Sequence, residues 1–428
     1  MRAEILTIGD ELCRGEIVDT NSSYLAQRLW DLDITTRWMT SCCDDVNDIT
    51  TAVDRAVGRA ELVVCSGGLG PTEDDLTVDV VARLADSDVI VDEAAKQRMV
   101  ERYGARMEVT PIQLRQVRVP ARARVHGNPA GLAPCFEASI RGVPVVCLPG
   151  IPRELHAIFD AHLEPRFREL RESRGNAERI ARRIYRVFGR GESQVSQACR
   201  GMVEGVAGAS IHYQVKFPET LVKLVVRDRD PAAAQARLDA LDAEVRIRLA
   251  GSLYGTGEVN LIEKVTRRLI DENVTVATAE SCTGGLIGEM ITRMPGSSRI
   301  YKGGVIAYSN DVKVRQLGVM PETLDKLGAV SETTVNQMAA GAQKRFDADI
   351  GIAVSGIAGP GGGTPDKPVG TVWLCAFGLP HAIDDEPTVI FENTTKKLGW
   401  PGARDQIRTL AAWWAFKLID ELLDRRRA

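Results

Sequence analysis

Apolar and polar positions along the chain switch repeatedly between a two-residue and a 3.6-residue period. "AEILTIGD" (3–10) reads as a strand, and "TNSSYLAQRLWDL" (20–32) as a helix that Thr20 or Asn21 can cap. "ITTRWMTSCC" (34–43) is a second strand and "DVNDITTAVDRAVGRA" (45–60) a second helix. "ELVVCSGG" (61–68) and "VPVVCLPG" (143–150) are near-continuous apolar runs, the pattern of parallel strands buried on both faces. "IPRELHAIFDAHLEPRF" (151–167) follows as a helix with Pro152 in its first turn. Strand–helix alternation of this kind predicts a doubly wound α/β domain over 1–165.

The pattern changes over 166–256. A charge-dense stretch, "RELRESRGNAERIARR", leads into short strands "RIYRVFG", "SIHYQVKF" and "TLVKLVVRD" and an Ala-rich helix, "PAAAQARLDALDAEVRIRLAG". This predicts a small α+β module on its own antiparallel sheet. From 257 to 428 the α/β rhythm returns, with helices at "NLIEKVTRRLIDE" and "SETTVNQMAAGAQKRF". Its strands are "VTVATAE", "YKGGVIAYS", "DIGIAVSGIAG" and "VGTVWLCAFG", and a terminal helix begins near 402. No internal repeat links the two α/β parts.

Composition narrows the class. The chain has 428 residues, 44% apolar and 26% charged, enough for two or three domains with cores of their own. A net charge of −4 without a basic stripe gives no reason to expect a nucleic-acid or anionic-membrane partner. The nine cysteines are odd in number and form no paired CxxC motifs, so they read as small buried residues of a reducing compartment. Met1 leads directly into a strand, and no apolar run approaches the ~20 residues of a membrane span. The expectation is a cytoplasmic protein.

Chemistry concentrates in two constellations. In "TVATAESCTGGLIGEM" (275–290) a strand ends at Glu280 and breaks into Ser281-Cys282-Thr283-Gly284-Gly285 before a helical pattern resumes. Ser281 there is either a nucleophile, with the amides from Cys282 to Gly285 holding an oxyanion, or, like Thr283, an N-cap. A Ser-His-Asp triad is poorly supported: the C-terminal half offers only His381, in "GLPHAIDD". Lys313, in the first turn of the helix after Tyr308-Ser309-Asn310-Asp311, is the other choice, because burial frees an amine lone pair; the alternative is a solvated surface lysine. "SGIAGPGGGTPDKPVG" (355–370) lacks the GK[ST] ending of a Walker loop, yet its glycines let backbone amides approach a phosphate.

"TAESCTGG", "GGVIAYSNDVK", "GAVSE" and "SGIAGPGGGTPDKPVGTV", in that order, resemble the C-terminal domain of the CinA family, the nicotinamide mononucleotide deamidases. The resemblance covers about 260–425. It implies a serine nucleophile at Ser281, a lysine base at Lys313 and an assisting Tyr308. It also implies nucleotide-binding roles for Cys282, Thr283, Gly284, Gly285, Asn310, Gly359, Gly361, Gly362 and Arg404, and needs no cofactor. The products would be nicotinic acid mononucleotide and ammonia. Where the family has Gly-Asp-Arg before its last helix, this chain has Gly402-Ala403-Arg404, which leaves the orientation of Arg404 open; Arg408 is a second candidate phosphate partner.

In "SGGLGPTEDDLT" (66–77), Gly67, Gly68 and Gly70 precede Thr72 and a run of carboxylates, Glu73, Asp74 and Asp75. Thr72 with Asp75 fits a capping box; the same carboxylates suit Mg²⁺ held against phosphates. "GDELCRGEIVDTN" adds Asp10, Glu11, Asp19 and Asn21 at another strand end, so both clusters are expected to face one crevice. With "NPAGLAP" and "LPGIPRE", these segments resemble the CinA N-terminal domain, which is similar to the molybdopterin-binding fold. That implies a metal-dependent ADP-ribose pyrophosphatase with Asp74 and Asp75 as metal ligands and a divalent ion such as Mg²⁺ as cofactor. A non-catalytic pterin- or nucleotide-binding module is the alternative. Gln113 and Cys135 stand where the family commonly has asparagine and glycine. The segment at 166–256 is similar to the family's KH-like linking domain, which implies spacing and homodimer contact and no RNA partner.

Overall fold

The computed structural model describes residues 1–103, 110–173, 178–382 and 389–425, with the side chains of 379–391 outside that description. Two compact units result: Met1–Ile180 with Arg227–Ala234, and Ala181–Val226 with Gln235–Ala428. The class is mixed α/β, with three main sheets.

The first unit is built on strands β1 (Arg2–Ile8), β2 (Thr35–Cys42), β3 (Leu62–Ser66), β4 (Val89–Val91), β5 (Arg118–Pro120), β6 (Arg124–His126), β7 (Cys135–Ile140) and β8 (Val143–Leu148). Six of them form a sheet in the order β2-β1-β3-β8-β7-β6, and β4 pairs with β5 separately. β1, β2, β3 and β8 run parallel, while β7 and β6 are antiparallel additions. The apolar run of β3 is buried on both faces, as its sequence demands. Val63 and Cys65 pack with Ile49, Val53 and Val78, whereas Leu62 and Val64 pack with Leu25, Leu29 and Phe159. The helix expected at 20–32 is Thr20–Asp31, but its cap is Asp19, whose carboxylate accepts from the Ser22 amide at 2.8 Å, not Thr20 or Asn21. The chain enters the helix one residue earlier than its hydroxyl and amide side chains suggest. The helix Glu164–Glu172 still belongs to this core, through Phe167 and Leu170.

In the second unit, strands β9 (Arg179–Phe188), β10 (Ala209–Lys216), β11 (Glu219–Asp228) and β12 (Leu253–Thr256) make the four-stranded sheet β10-β11-β9-β12. Strands β13 (Val276–Glu280), β14 (Tyr301–Ile306), β15 (Ile350–Gly356), β16 (Thr371–Ala382) and β17 (Val389–Gly399) make a five-stranded one, β14-β13-β15-β16-β17. β13 lies parallel between β14 and β15, and every one of its residues is buried. Phe188 and Tyr254, from the smaller sheet, are members of the same apolar cluster as Val276, Ile352, Trp413 and Phe416. The four-stranded module and the C-terminal sheet therefore share a core. Among the described residues, no helix is long and apolar enough to cross a membrane.

Candidate active site

The C-terminal constellation forms where β13 stops. The ladder runs one step beyond the strand: the Ser281 amide donates to Val354 O at 3.0 Å and the Ala307 amide to Glu280 O at 2.7 Å. The chain then leaves the sheet through Gly284 (φ +62°) and Gly285 (φ +98°), left-handed positions that suit glycine. Neither Ser281 nor Thr283 caps the following helix, Leu286–Thr292, whose cap residue is Gly285. The buried Glu280 carboxylate does that work, accepting from the amides of Gly285 (2.9 Å), Ile287 (3.1 Å) and Gly288 (2.9 Å). The Gly284 amide is also taken, by Ser281 O at 3.1 Å. Of the four amides expected to face an oxyanion, only those of Cys282 and Thr283 donate to no backbone carbonyl among the described residues, and the Cys282 amide lies against its own sulfur.

Lys313 sits in the first turn of the helix Asn310–Leu317, capped by the Ser309 hydroxyl. Its side chain is buried rather than solvated. The amine donates to Ala307 O at 2.8 Å and Tyr308 O at 3.4 Å and lies 3.3 Å from Ser281 Oγ. Burial lowers its pKa from the ordinary 10.5. Burial pushes the neighbouring Cys282 thiol up to about 12, so it is protonated at neutral pH and a poor rival to Ser281.

The third segment joins through arginines. Arg404 donates to Gly359 O at 2.6 Å and to the Tyr308 phenol oxygen at 3.3 Å, and Arg408 donates to Thr283 O at 2.9 Å. Tyr308 thus stands between the two segments, meeting Arg404 at one end and Lys313 at the other. The carbonyl of Tyr308, not its phenol, reaches Lys313, and the ring is exposed. With Ala403 in place of an acid, the Ala403 amide bonds Gln406 Oε1 at 3.2 Å. Arg404 is oriented by a carbonyl and a phenol, neither of which neutralises it. Asn310 is exposed, as are Gly361 and Gly362, whereas Gly359 is buried. The Thr283 hydroxyl is fully buried with no hydrogen-bond partner among the described residues. The His381 side chain lies outside the described residues. Sequence reasoning assigned no role to Glu280; its only signal was an acid ending an apolar strand just before a glycine turn.

The N-terminal clusters do share one crevice. A cavity of about 830 Å³ opens at the carboxyl ends of β1, β3 and β8, lined among others by Asp10, Glu11, Asp19, Asn21, Asp44 and Glu154. Gly67, Gly68, Gly70, Thr72, Asp74 and Asp75 line it from the β3 side. Asn21 donates to Ser66 Oγ (3.0 Å) and Gly150 O (2.7 Å), which ties the start of its helix to the ends of β3 and β8. Thr72 and Asp75 make no capping box, because the helix starts later, at Thr77. Instead Asp75 locks the turn, accepting from the amides of Gly70 (2.7 Å) and Thr72 (2.8 Å) and from the Thr72 hydroxyl (2.6 Å). Gly68 (φ +66°) is needed for packing, since a Cβ there would meet Thr77 Oγ1 at 2.1 Å.

Asp44, which the sequence reading missed, exchanges amide–carboxylate hydrogen bonds with Asp10 at 2.9 and 3.3 Å. Burial, joined by the charges of Glu11, Asp10 and Asp75, raises its pKa above the ordinary 3.8. That crowding of negative charge suits a cation. Among the described residues, however, no three His, Cys, Asp or Glu side chains are gathered as a ready metal cage. Asp75 has about one of four lone-pair sites left, and Asp74 is exposed and free of the turn's hydrogen bonds. This donor set fits an Mg²⁺ that keeps its waters and arrives with substrate phosphates, not an all-protein site.

Three family models together match most of the chain. A family model described as "CinA C-terminal domain" matches residues 258–423. One described as "Probable molybdopterin binding domain" matches 4–169, and "Damage-inducible protein CinA KH domain" matches 182–255. A CinA-like protein of Kosmotoga olearia is 36% identical over 424 residues, covering 99% of both chains. The chain belongs to the CinA family. A second CinA-like protein, from Myxococcus xanthus, is likewise 36% identical over 424 residues, covering 99% of this chain and 98% of its own. Among solved structures, the competence/damage inducible protein CihA from Agrobacterium tumefaciens is 38% identical over 38% of this chain and 96% of its own, with a TM-score of 0.34. This is a CinA-family protein with a molybdopterin-binding-like N-terminal domain, a KH-like middle domain and a CinA C-terminal domain.

Proposed function

We propose that the C-terminal site hydrolyses nicotinamide mononucleotide to nicotinic acid mononucleotide and ammonia by a Ser281–Lys313 mechanism. The observation that carries this reading is the buried amine of Lys313, 3.3 Å from Ser281 Oγ. A neutral amine that donates its two N–H groups to Ala307 O and Tyr308 O turns its lone pair toward the serine hydroxyl. Lys313 takes the hydroxyl proton as Ser281 Oγ attacks the carboxamide carbon. The Cys282 and Thr283 amides receive the oxyanion. The Lys313 ammonium then protonates the departing nitrogen, and ammonia leaves. Water, deprotonated by the same amine, attacks the acyl-enzyme; the C–O bond to Ser281 breaks as the Lys313 ammonium returns its proton to Oγ, and the acid leaves as its carboxylate, losing its proton to solvent. Arg404, with its charge unneutralised, and the Gly359–Gly363 loop seat the phosphate. The test is ammonia release from nicotinamide mononucleotide by the purified protein and by Ser281→Ala. Release by the variant at the wild-type rate overturns the assignment.

The 830 Å³ carboxylate-lined cavity supports a second activity, metal-dependent cleavage of ADP-ribose in the N-terminal domain. Asp74, with the remaining lone pair of Asp75, would hold the divalent ion, which would neutralise phosphate charge and activate water. Metal titration separates this from the alternative, a pterin- or nucleotide-binding module in a competence-related protein: turnover needs the ion, and binding alone need not. The partners in this reading are small nucleotides, with neither nucleic acid nor membrane. The protein is further proposed to be a cytoplasmic homodimer, which sedimentation and cell fractionation test.

A further inference from the structure

The hairpin between β10 and β11 ends in a two-residue turn, Phe217-Pro218, with Lys216 paired to Glu219 across its mouth. Phe217 is one of the exposed large apolar residues. Its ring stacks on Trp400, with centroids 5.4 Å apart and planes 29° from parallel. Trp400 closes the base of the 357–370 loop. Its amide donates to Gly370 O at 3.3 Å, the Gly370 amide donates to Ile357 O at 2.8 Å, and the Ile357 amide to Thr371 O at 2.9 Å. A Cβ on Gly370 would meet Trp400 O at 2.0 Å, and one on Gly402 the Trp400 ring at 2.0 Å. The Trp400 backbone thus abuts the end of the glycine loop, while its indole packs between Phe217 and Gly402, in the segment leading to Arg404, which itself bonds Gly359 O.

The hairpin cannot swing freely. Glu219, the residue just past its turn, is buried, paired with buried Arg186 at 2.7 Å and bonded by the Tyr254 hydroxyl. Arg186 also donates to the carbonyls of Gly257 and Glu258, both at 2.7 Å, at the entrance to the C-terminal domain. A buried pair of this kind is costly to break from one side and holds the register of its strand. The tip is presented to Trp400 by a rigid base.

We propose that the KH-like module is a positioning element for the C-terminal site, with Phe217 as the positioning residue acting through Trp400 on the glycine loop and Arg404. The proposal rests on the deamidase reading for its kinetic consequence and on packing alone for its structural one. Losing the ring loosens the phosphate side of the site and leaves the Ser281–Lys313 pair in place, so substrate binding weakens and the chemical step does not.

The experiment measures nicotinamide mononucleotide deamidation by Phe217→Ala, Phe217→Leu and Phe217→Tyr, and amide hydrogen exchange in the substrate-free protein. KM is expected to rise about two- to tenfold in Phe217→Ala with kcat nearly unchanged, as expected from one aromatic pair. The amides of Ile357, Gly370 and Trp400 exchange faster, while those of β13 do not. Phe217→Tyr restores both properties, because its ring keeps the stack. If Phe217→Ala does not fold, Phe217→Leu, which keeps apolar bulk without the ring, must show the same pattern. Unchanged exchange at the three amides, or a fall in kcat at constant KM, overturns the proposal. Should the wild type release no ammonia at all, only the deamidase reading is lost, and hydrogen exchange still decides the coupling.

Discussion

The Lys313 amine nitrogen stands 3.3 Å from the Ser281 hydroxyl oxygen, with the lysine 1% exposed and the serine 8%. A lysine so placed has exchanged hydration for two backbone carbonyls and a hydroxyl. Desolvation disfavours its charged form, and a neutral amine is what a serine nucleophile needs. Replacing Lys313 by methionine keeps the apolar volume and removes the base. Ammonia release should fall by about 10²–10⁴-fold, the range for loss of a positioned base, while nicotinamide mononucleotide binding, measured calorimetrically, persists.

The lowered pKa of Lys313 makes both activity and stability depend on pH. On the rate profile, kcat/KM should rise with pH on a limb whose midpoint lies below the ordinary 10.5, and Lys313→Met should lack that limb. In stability, the unfolded chain binds the proton more tightly than the folded one. Wild-type stability therefore gains as pH rises from the folded pKa toward 10.5, and the gain is lost as pH falls from 10.5 to the folded pKa. Thermal melts of wild type against Lys313→Met across that window check the sign: the variant's relative advantage should shrink as pH rises.

Cys282 adjoins the nucleophile and invites misassignment. With its thiol pushed up to about 12 by burial, it carries little thiolate at neutral pH. Cys282→Ala should retain ammonia release within about threefold, at a stability cost of about 1 kcal/mol for the lost packing. Iodoacetamide should label Cys13, which is exposed, well before Cys282. Loss of activity in step with labelling of Cys282 would give the nucleophile's role to the thiol.

Glu280 illustrates what a sequence leaves unread. Its carboxylate accepts three amides with two oxygens. An amide side chain in its place keeps one acceptor and points an NH₂ at a donor. Glu280→Gln should therefore cost about 2–3 kcal/mol, read as a lowered denaturation midpoint, and distort the adjoining Ser281 turn enough to reduce kcat. Neutral behaviour in both assays would mean that the turn holds without the carboxylate.

The strands β3 and β8 were legible because each is a near-continuous apolar run, and β1, β13 and β15 because apolar and β-branched residues dominate between turn signals. Partners that depend on distant chain were not. The spacing of Thr72 and Asp75 serves a capping box and a closed turn equally, and only the true helix start at Thr77 separates them. Asp44 enters the cavity because β2 lies beside β1, a pairing that no local pattern encodes. Phe188 and Tyr254 look like interior residues of a separate small module, yet they complete the C-terminal core.

Asp74 and Asp75 are adjacent, and the fold gives them different work. Asp75 spends its oxygens on Gly70 and Thr72, so Asp75→Ala removes the lock of the glycine turn and leaves two amides to find other acceptors. It should lower the stability of the first unit by about 1–3 kcal/mol, whatever ligand the cavity takes. Asp74 makes no such bonds and is exposed. Asp74→Asn should leave the denaturation midpoint unchanged and abolish chelator-sensitive cleavage of ADP-ribose. Ammonia release should stay within about twofold, because the substitution removes no residue and no hydrogen bond of the C-terminal site. If Asp74→Asn retains full cleavage at saturating Mg²⁺, the carboxylate is not a ligand. If the wild type binds ADP-ribose equally with and without metal and never cleaves it, the cavity is a binding module.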